Sequence, residues 1–150
     1  MQEFEWCKQI VRLCRQSLAG PLTMGSVLLV GAGGALGAMA RYSFTLLVTR
    51  HLETNFPFAT LLINIVGSVV MGIFIGLLAR FMPPWQEAAR LFVAVGILGG
   101  FTTFSAFSLD AITLIERGEL ANATFYVALS VVICLAGLYL GLLISRGGAA

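Results

Sequence analysis

Phe104 and Phe107 stand three residues apart in the stretch GGFTTFSAFS, Gly99 to Ser108, among the hydroxyl side chains of Thr102, Thr103, Ser105 and Ser108. On a helix, residues three apart share a face, so the two rings stand together with Ser105 and Ser108 as a neighbouring polar line. An aromatic ring is electronegative on its face and electropositive at its edge. Two rings turned edge-on beside hydroxyl donors can therefore line a path for a small anion. The same rings equally fit an ordinary apolar surface against core or lipid. Gly99 and Gly100 are poor helix formers, and a break at this point frees backbone carbonyls that attract a cation or a partner chain.

Polar side chains elsewhere fall in stripes. Thr60, Asn64 and Ser68 recur every four residues, as do Tyr126, Ser130 and Cys134, so two helix faces each carry a short polar line. Such lines serve as interhelical hydrogen bonds in an apolar bundle. An amide is costlier to bury than a hydroxyl, which turns Asn64 towards function. Carboxylates are scarce in these segments: of seven acidic residues only Asp110 falls inside an apolar run, while Glu3, Glu5, Glu53, Glu87, Glu116 and Glu119 lie in links, at a helix end or near the N-terminus. That argues against an enzyme, which needs a carboxylate pair or a histidine at its substrate, and against a proton-coupled transporter. The single histidine, His51, falls in a link. Cys7, Cys14 and Cys134 make neither a paired framework nor a metal-binding spacing. A net charge of +2 gives no case for nucleic acid.

The elements that must position these residues follow from composition. In 150 residues, 59% are hydrophobic and 11% charged, with a mean hydropathy of +0.95, which is the balance of a polytopic membrane protein. A hydrocarbon core of about 30 Å needs roughly 20 helical residues. Four stretches meet that need: Ser26 to Val48, Phe58 to Leu78, Leu91 to Ile115 and Ala123 to Ile144. The links TRHLETNFP, ARFMPPWQEAAR and ERGELAN are short and carry turn residues. The expected fold is thus an all-α membrane protein of four transmembrane helices, the third broken mid-membrane, in one domain over residues 24–150. Residues 1–23 differ, because charges interrupt their apolar residues. Three readings stand for them: an interfacial amphipathic helix carrying Cys7, Ile10, Cys14 and Leu18, a disordered leader, or an extension preceding a natural start at Met24. A G-x-x-x-G pair occurs in every span: Gly33 and Gly37, Gly72 and Gly76, Gly96 and Gly100, Gly137 and Gly141. Close helix packing in an oligomeric bundle is the expectation. A four-helix unit is too small to enclose a wide pore, so a pathway between subunits is easier to build.

Three blocks, GAGGALGAMARY in the first span, ATLLINIVGS in the second and GGFTTFSAFS in the third, resemble the signature blocks of the Fluc (CrcB) fluoride channels, over about Met24 to Ser145. The resemblance implies an antiparallel, dual-topology homodimer, multi-pass in a bacterial inner membrane and surrounded by its lipid. It also implies two fluoride pores, a structural sodium ion at the dimer interface, and passive export of fluoride. By that resemblance Phe104 and Phe107 are the pore rings, Asn64 the pore amide, and Tyr126 and Ser130 the polar track. Gly99 and Thr102 supply sodium-binding carbonyls, with Thr103 and Ser105 as further hydroxyl donors. Arg41 takes the family's first-helix arginine position, at the vestibule with Thr60; on its own terms it equally suits snorkelling from near a helix end. Cys134 departs from the expected hydroxyl. The competing class is a small four-helix multidrug or cation exporter. That class should carry a carboxylate in its first span, and SVLLVGAGGALGAMARYSFTLLV contains none. From Met24 onward Arg80, Arg90 and Arg146 lie on one side of the spans against Arg50 and Arg117 on the other, a near balance that suits insertion both ways. Lys8, Arg12 and Arg15 would tip that balance if the leader is coupled to the first span.

Overall fold

A computed structural model describes residues 8, 9, 11, 23–52 and 54–146. The readings of the leader fall outside the described residues, Lys8, Gln9 and Val11 apart. Among the described residues every element from Met24 onward is helical: α1 Met24–His51, α2 Phe58–Phe81, a composite third span Gln86–Glu116, and the final helix α6 Leu120–Arg146. All four spans are long and apolar enough to cross a membrane. Each overruns the apolar stretch expected from sequence by a few residues. The Thr23 hydroxyl accepts from the Ser26 N–H at 3.2 Å, and Arg50 and His51 sit in the last turn of α1, where cations complement the helix dipole. The turns between spans are tight. Met82 ends α2 in the left-handed region at φ 40°, and Gly118 turns the chain towards α6 at φ 79°.

The third span is built from pieces. It runs through α3 Gln86–Ala89, a π-helical stretch Arg90–Leu98 and α4 Gly99–Phe101, then resumes as α5 Phe104–Glu116. Thr102 (φ −78°, ψ 158°) and Thr103 (φ −154°, ψ 118°) are extended between α4 and α5, at the centre of the 31-residue span. Gly99 itself is helical, at φ −64° and ψ −36°. The irregular residues therefore lie just past the glycine pair, on the two threonines.

The glycines serve close approach instead. A Cβ on Gly96 would stand 2.8 Å from the Gly33 Cα, and one on Gly100 would stand 2.6 Å from the Gly34 carbonyl oxygen. Across the other seam, a Cβ on Gly141 would stand 2.8 Å from the Ile73 nitrogen. The four G-x-x-x-G pairs thus match in twos, first span with third and second with fourth, and both seams lie inside one protomer. Beyond the threonines the chain changes partner: α5 packs on α6. There the buried cluster forms, from Leu61, Phe107, Ala111, Leu114, Ala123 and Tyr126, with Phe56, Ile65 and Leu129 against it.

A candidate ion pathway beside the interrupted span

Two extended residues inside an apolar span leave peptide groups that no helix satisfies. Side chains from neighbouring helices take them up. Asn64 on α2 donates from Nδ2 to the Thr103 carbonyl at 3.1 Å and accepts from the Thr103 N–H at 2.9 Å through Oδ1. The Thr102 N–H and hydroxyl both donate to the Leu98 carbonyl, at 2.9 and 2.8 Å. Arg41 on α1 donates from Nη1 to the Thr102 carbonyl at 3.5 Å. The Thr103 hydroxyl caps α5, accepting from the Ala106 N–H at 3.2 Å and meeting the Ser105 hydroxyl at 3.1 Å. In an unbroken helix the Thr103 N–H would serve the Gly99 carbonyl. Here it goes to Asn64, so Gly99 loses that donor.

Beside this junction runs a groove of about 420 Å³, lined by Asn64, Thr102, Thr103, Phe104, Phe107 and Ser130, and farther along by Ser68, Met71 and Cys134. It lies against the N-terminus of α5, whose first N–H groups have no intrahelical partner and form the positive end of the helix dipole. The Phe104 and Phe107 ring centroids are 5.3 Å apart with planes at 41°, and Phe107 stands 5.3 Å from Tyr126 at 38°. The three rings make a stair from the surface inward: Phe104 is 77% exposed, Phe107 9% and Tyr126 0%. Ser130 is only 5% exposed, and its hydroxyl has no hydrogen-bond partner among the described residues. A buried hydroxyl without a protein partner beside an open groove is available to donate a hydrogen bond.

Behind the stair lies a second, more polar cavity of about 280 Å³, lined among others by Thr45, Thr49, Asn55, Thr60, Asp110 and Arg117. The Tyr126 hydroxyl donates to Asp110 Oδ2 at 3.4 Å, so this one residue touches the groove's rings on one side and the cavity's acid on the other. The structure thus gathers Asn64, Thr103, Phe104, Phe107 and Ser130 at the groove and puts Thr60 in the second cavity. Tyr126 lies between them. Arg41 reaches the junction from α1, and exposed Ser105 lies outside the lining of either space. Ser68 belongs to the groove and was marked by its place on the Asn64 stripe, whereas Met71 carries no sequence signal at all. Among the described residues no three His, Cys, Asp or Glu side chains come together as a metal site. A cation at Gly99 and Thr102 would be held by neutral carbonyls. Those suit a hard monovalent ion, with the Arg41 charge close by.

Residues 28–142 match the family described as CrcB-like protein, Camphor Resistance (CrcB). The chain is similar to the fluoride-specific ion channel FluC 2 of Nitrobacter hamburgensis, 50% identical over 119 residues that make up 79% of this chain and 95% of the relative. It is 50% identical over 121 residues to the fluoride-specific ion channel FluC of Nitrobacter winogradskyi, with 80% of this chain and 94% of the relative covered. To the fluoride-specific ion channel FluC of Rhodospirillum centenum it is 46% identical over 127 residues, spanning 85% of this chain and 100% of the relative.

Proposed function

The chain belongs to the CrcB-like protein family, and we propose from that premise that it is a multi-pass fluoride channel, passive and selective, that releases fluoride across a bacterial inner membrane. It is a channel and not an enzyme. The exporter alternative has no carboxylate to work with in α1. Fluoride is small and holds its water tightly, so a pathway must replace that water with fixed donors and still let the ion leave. The groove offers the second Nδ2 hydrogen of Asn64, the first N–H groups of α5, the ring edges of Phe104 and Phe107, and the Ser130 hydroxyl. Thr103 adds a hydroxyl to its lining, with the exposed Ser105 hydroxyl reaching it only through Thr103, and the cavity holding Thr60 is the vestibule beyond Tyr126. The observation that carries this reading is the unpartnered, buried Ser130 hydroxyl on the same groove as Asn64 and both rings.

One protomer leaves the groove open along its flank, with Phe104 uncovered. An antiparallel second copy would close that flank and dehydrate the ion, giving a dual-topology homodimer with two pathways and lipid on the remaining faces. The carbonyls of Gly99 and Thr102 from each copy would then hold one structural sodium ion, with four oxygens and no carboxylate. Purified protein in liposomes tests the reading: fluoride efflux should exceed chloride efflux by orders of magnitude and fall when the protein is prepared without sodium. Equal release of the two halides would refute the selectivity, and efflux indifferent to sodium would refute the cation site.

A further inference from the structure

The far end of the groove holds two sulfurs that anion conduction does not call on. Cys134 lies one turn beyond Ser130 on α6, and Met71 lies one turn beyond Ser68 on α2; all four side chains line the same space. The Cys134 thiol is free among the described residues and lines the groove together with the Ser68 side chain. The Ser130 hydroxyl, buried and without a partner, sits on the same face four residues earlier. Two sulfurs and two hydroxyls therefore line one largely apolar groove between α2 and α6.

We propose that this end of the groove is a binding site for a soft monovalent cation of the copper(I) or silver(I) class, held by the Cys134 thiolate and the Met71 thioether, and that its occupancy closes the ion pathway. Thiolate and thioether sulfur select soft ions over the hard cations of the cell. The charge of the ion follows from the surroundings. Binding replaces the thiol proton, which leaves to water, and forms one sulfur–metal bond, while Met71 donates a lone pair without any change of oxidation state. A monovalent ion on one thiolate is neutral overall and stands in a largely apolar groove at little cost. A divalent ion would leave a net charge there with no carboxylate to offset it. The Ser130 and Ser68 hydroxyls then donate to the thiolate sulfur, giving Ser130 the partner it lacks.

The closure of the pathway rests on the fluoride-channel reading; the binding itself does not, and the experiment separates them. Silver(I) is titrated in chloride-free nitrate buffer onto the full chain carrying Cys7→Ser and Cys14→Ser, which leaves Cys134 as its only thiol. Intact-mass measurement should find one silver per chain with the loss of one proton, and fluoride efflux from liposomes should fall at least tenfold at saturation. Adding Cys134→Ser should abolish the adduct and make efflux insensitive to silver. Met71→Leu should weaken silver binding about tenfold. No stoichiometric adduct, or an adduct that survives Cys134→Ser, overturns the site. Unchanged affinity in Met71→Leu removes the thioether from it, and an adduct that leaves a measurable fluoride efflux untouched overturns the closure.

Discussion

Asn64 shows how a residue's type and its role can be legible separately. An amide in an apolar helix announces that something polar must meet it, and the sequence pattern places it on a stripe with Thr60 and Ser68. Its partner is the Thr103 backbone, 39 residues away, and no periodicity connects an amide on one helix to a peptide group on another. The aromatic pair was more readable, since a spacing of three puts Phe104 and Phe107 on one face whatever surrounds them. What spacing left open was their unequal burial and the third ring, Tyr126, behind them. Replacing either phenylalanine by isoleucine keeps bulk and removes the ring edge. If each edge contributes about 1 kcal/mol to the dehydrated ion, fluoride efflux should drop about fivefold in each variant while the folded protein persists. Undiminished efflux in both variants would return the rings to a packing role.

At the scale of elements, the glycine pairs announced close packing but not which helices would meet. The structure pairs them inside the protomer, and the two seams hold the first span to the third and the second to the fourth. The same packing explains why the extended residues are threonines: Gly100 is spent on its contact with Gly34, and the chain departs from helix only where Asn64 and Arg41 can receive its peptide groups. Gly100→Ala should therefore destabilise the protein by about 1–3 kcal/mol, since backbone on both sides of the seam has to move. Gly31 faces open space in the protomer. Gly31→Ala should gain helix propensity, up to about 1 kcal/mol, and unfold no earlier. Thermal unfolding in one detergent compares the two, and equal effects would show that the seam is not close-packed.

For the whole molecule, four spans place Met24, Arg146 and the Met82–Trp85 turn on one side. Arg80 reaches from that side to the Ser145 carbonyl at 3.4 Å, and the side carries three arginines against two opposite, Arg50 and Arg117, from Met24 onward. A bias of one charge is weak, so a reporter fused after Ala150 on a chain beginning at Met24 should be found on both sides of the membrane. A single fixed orientation would refute dual topology. The bridge between Asn64 and Thr103 also has a bearing on how the chain is made. A ribosome adding about 5–20 residues per second delivers Thr103 roughly 2–8 s after Asn64. Through that interval the amide has no final partner, and the third span, arriving with two peptide groups unserved, cannot settle in hydrocarbon by itself. The second span is therefore expected to stay beside the insertion machinery until the third reaches it, so that the two enter the bilayer as a pair once the amide meets Thr103.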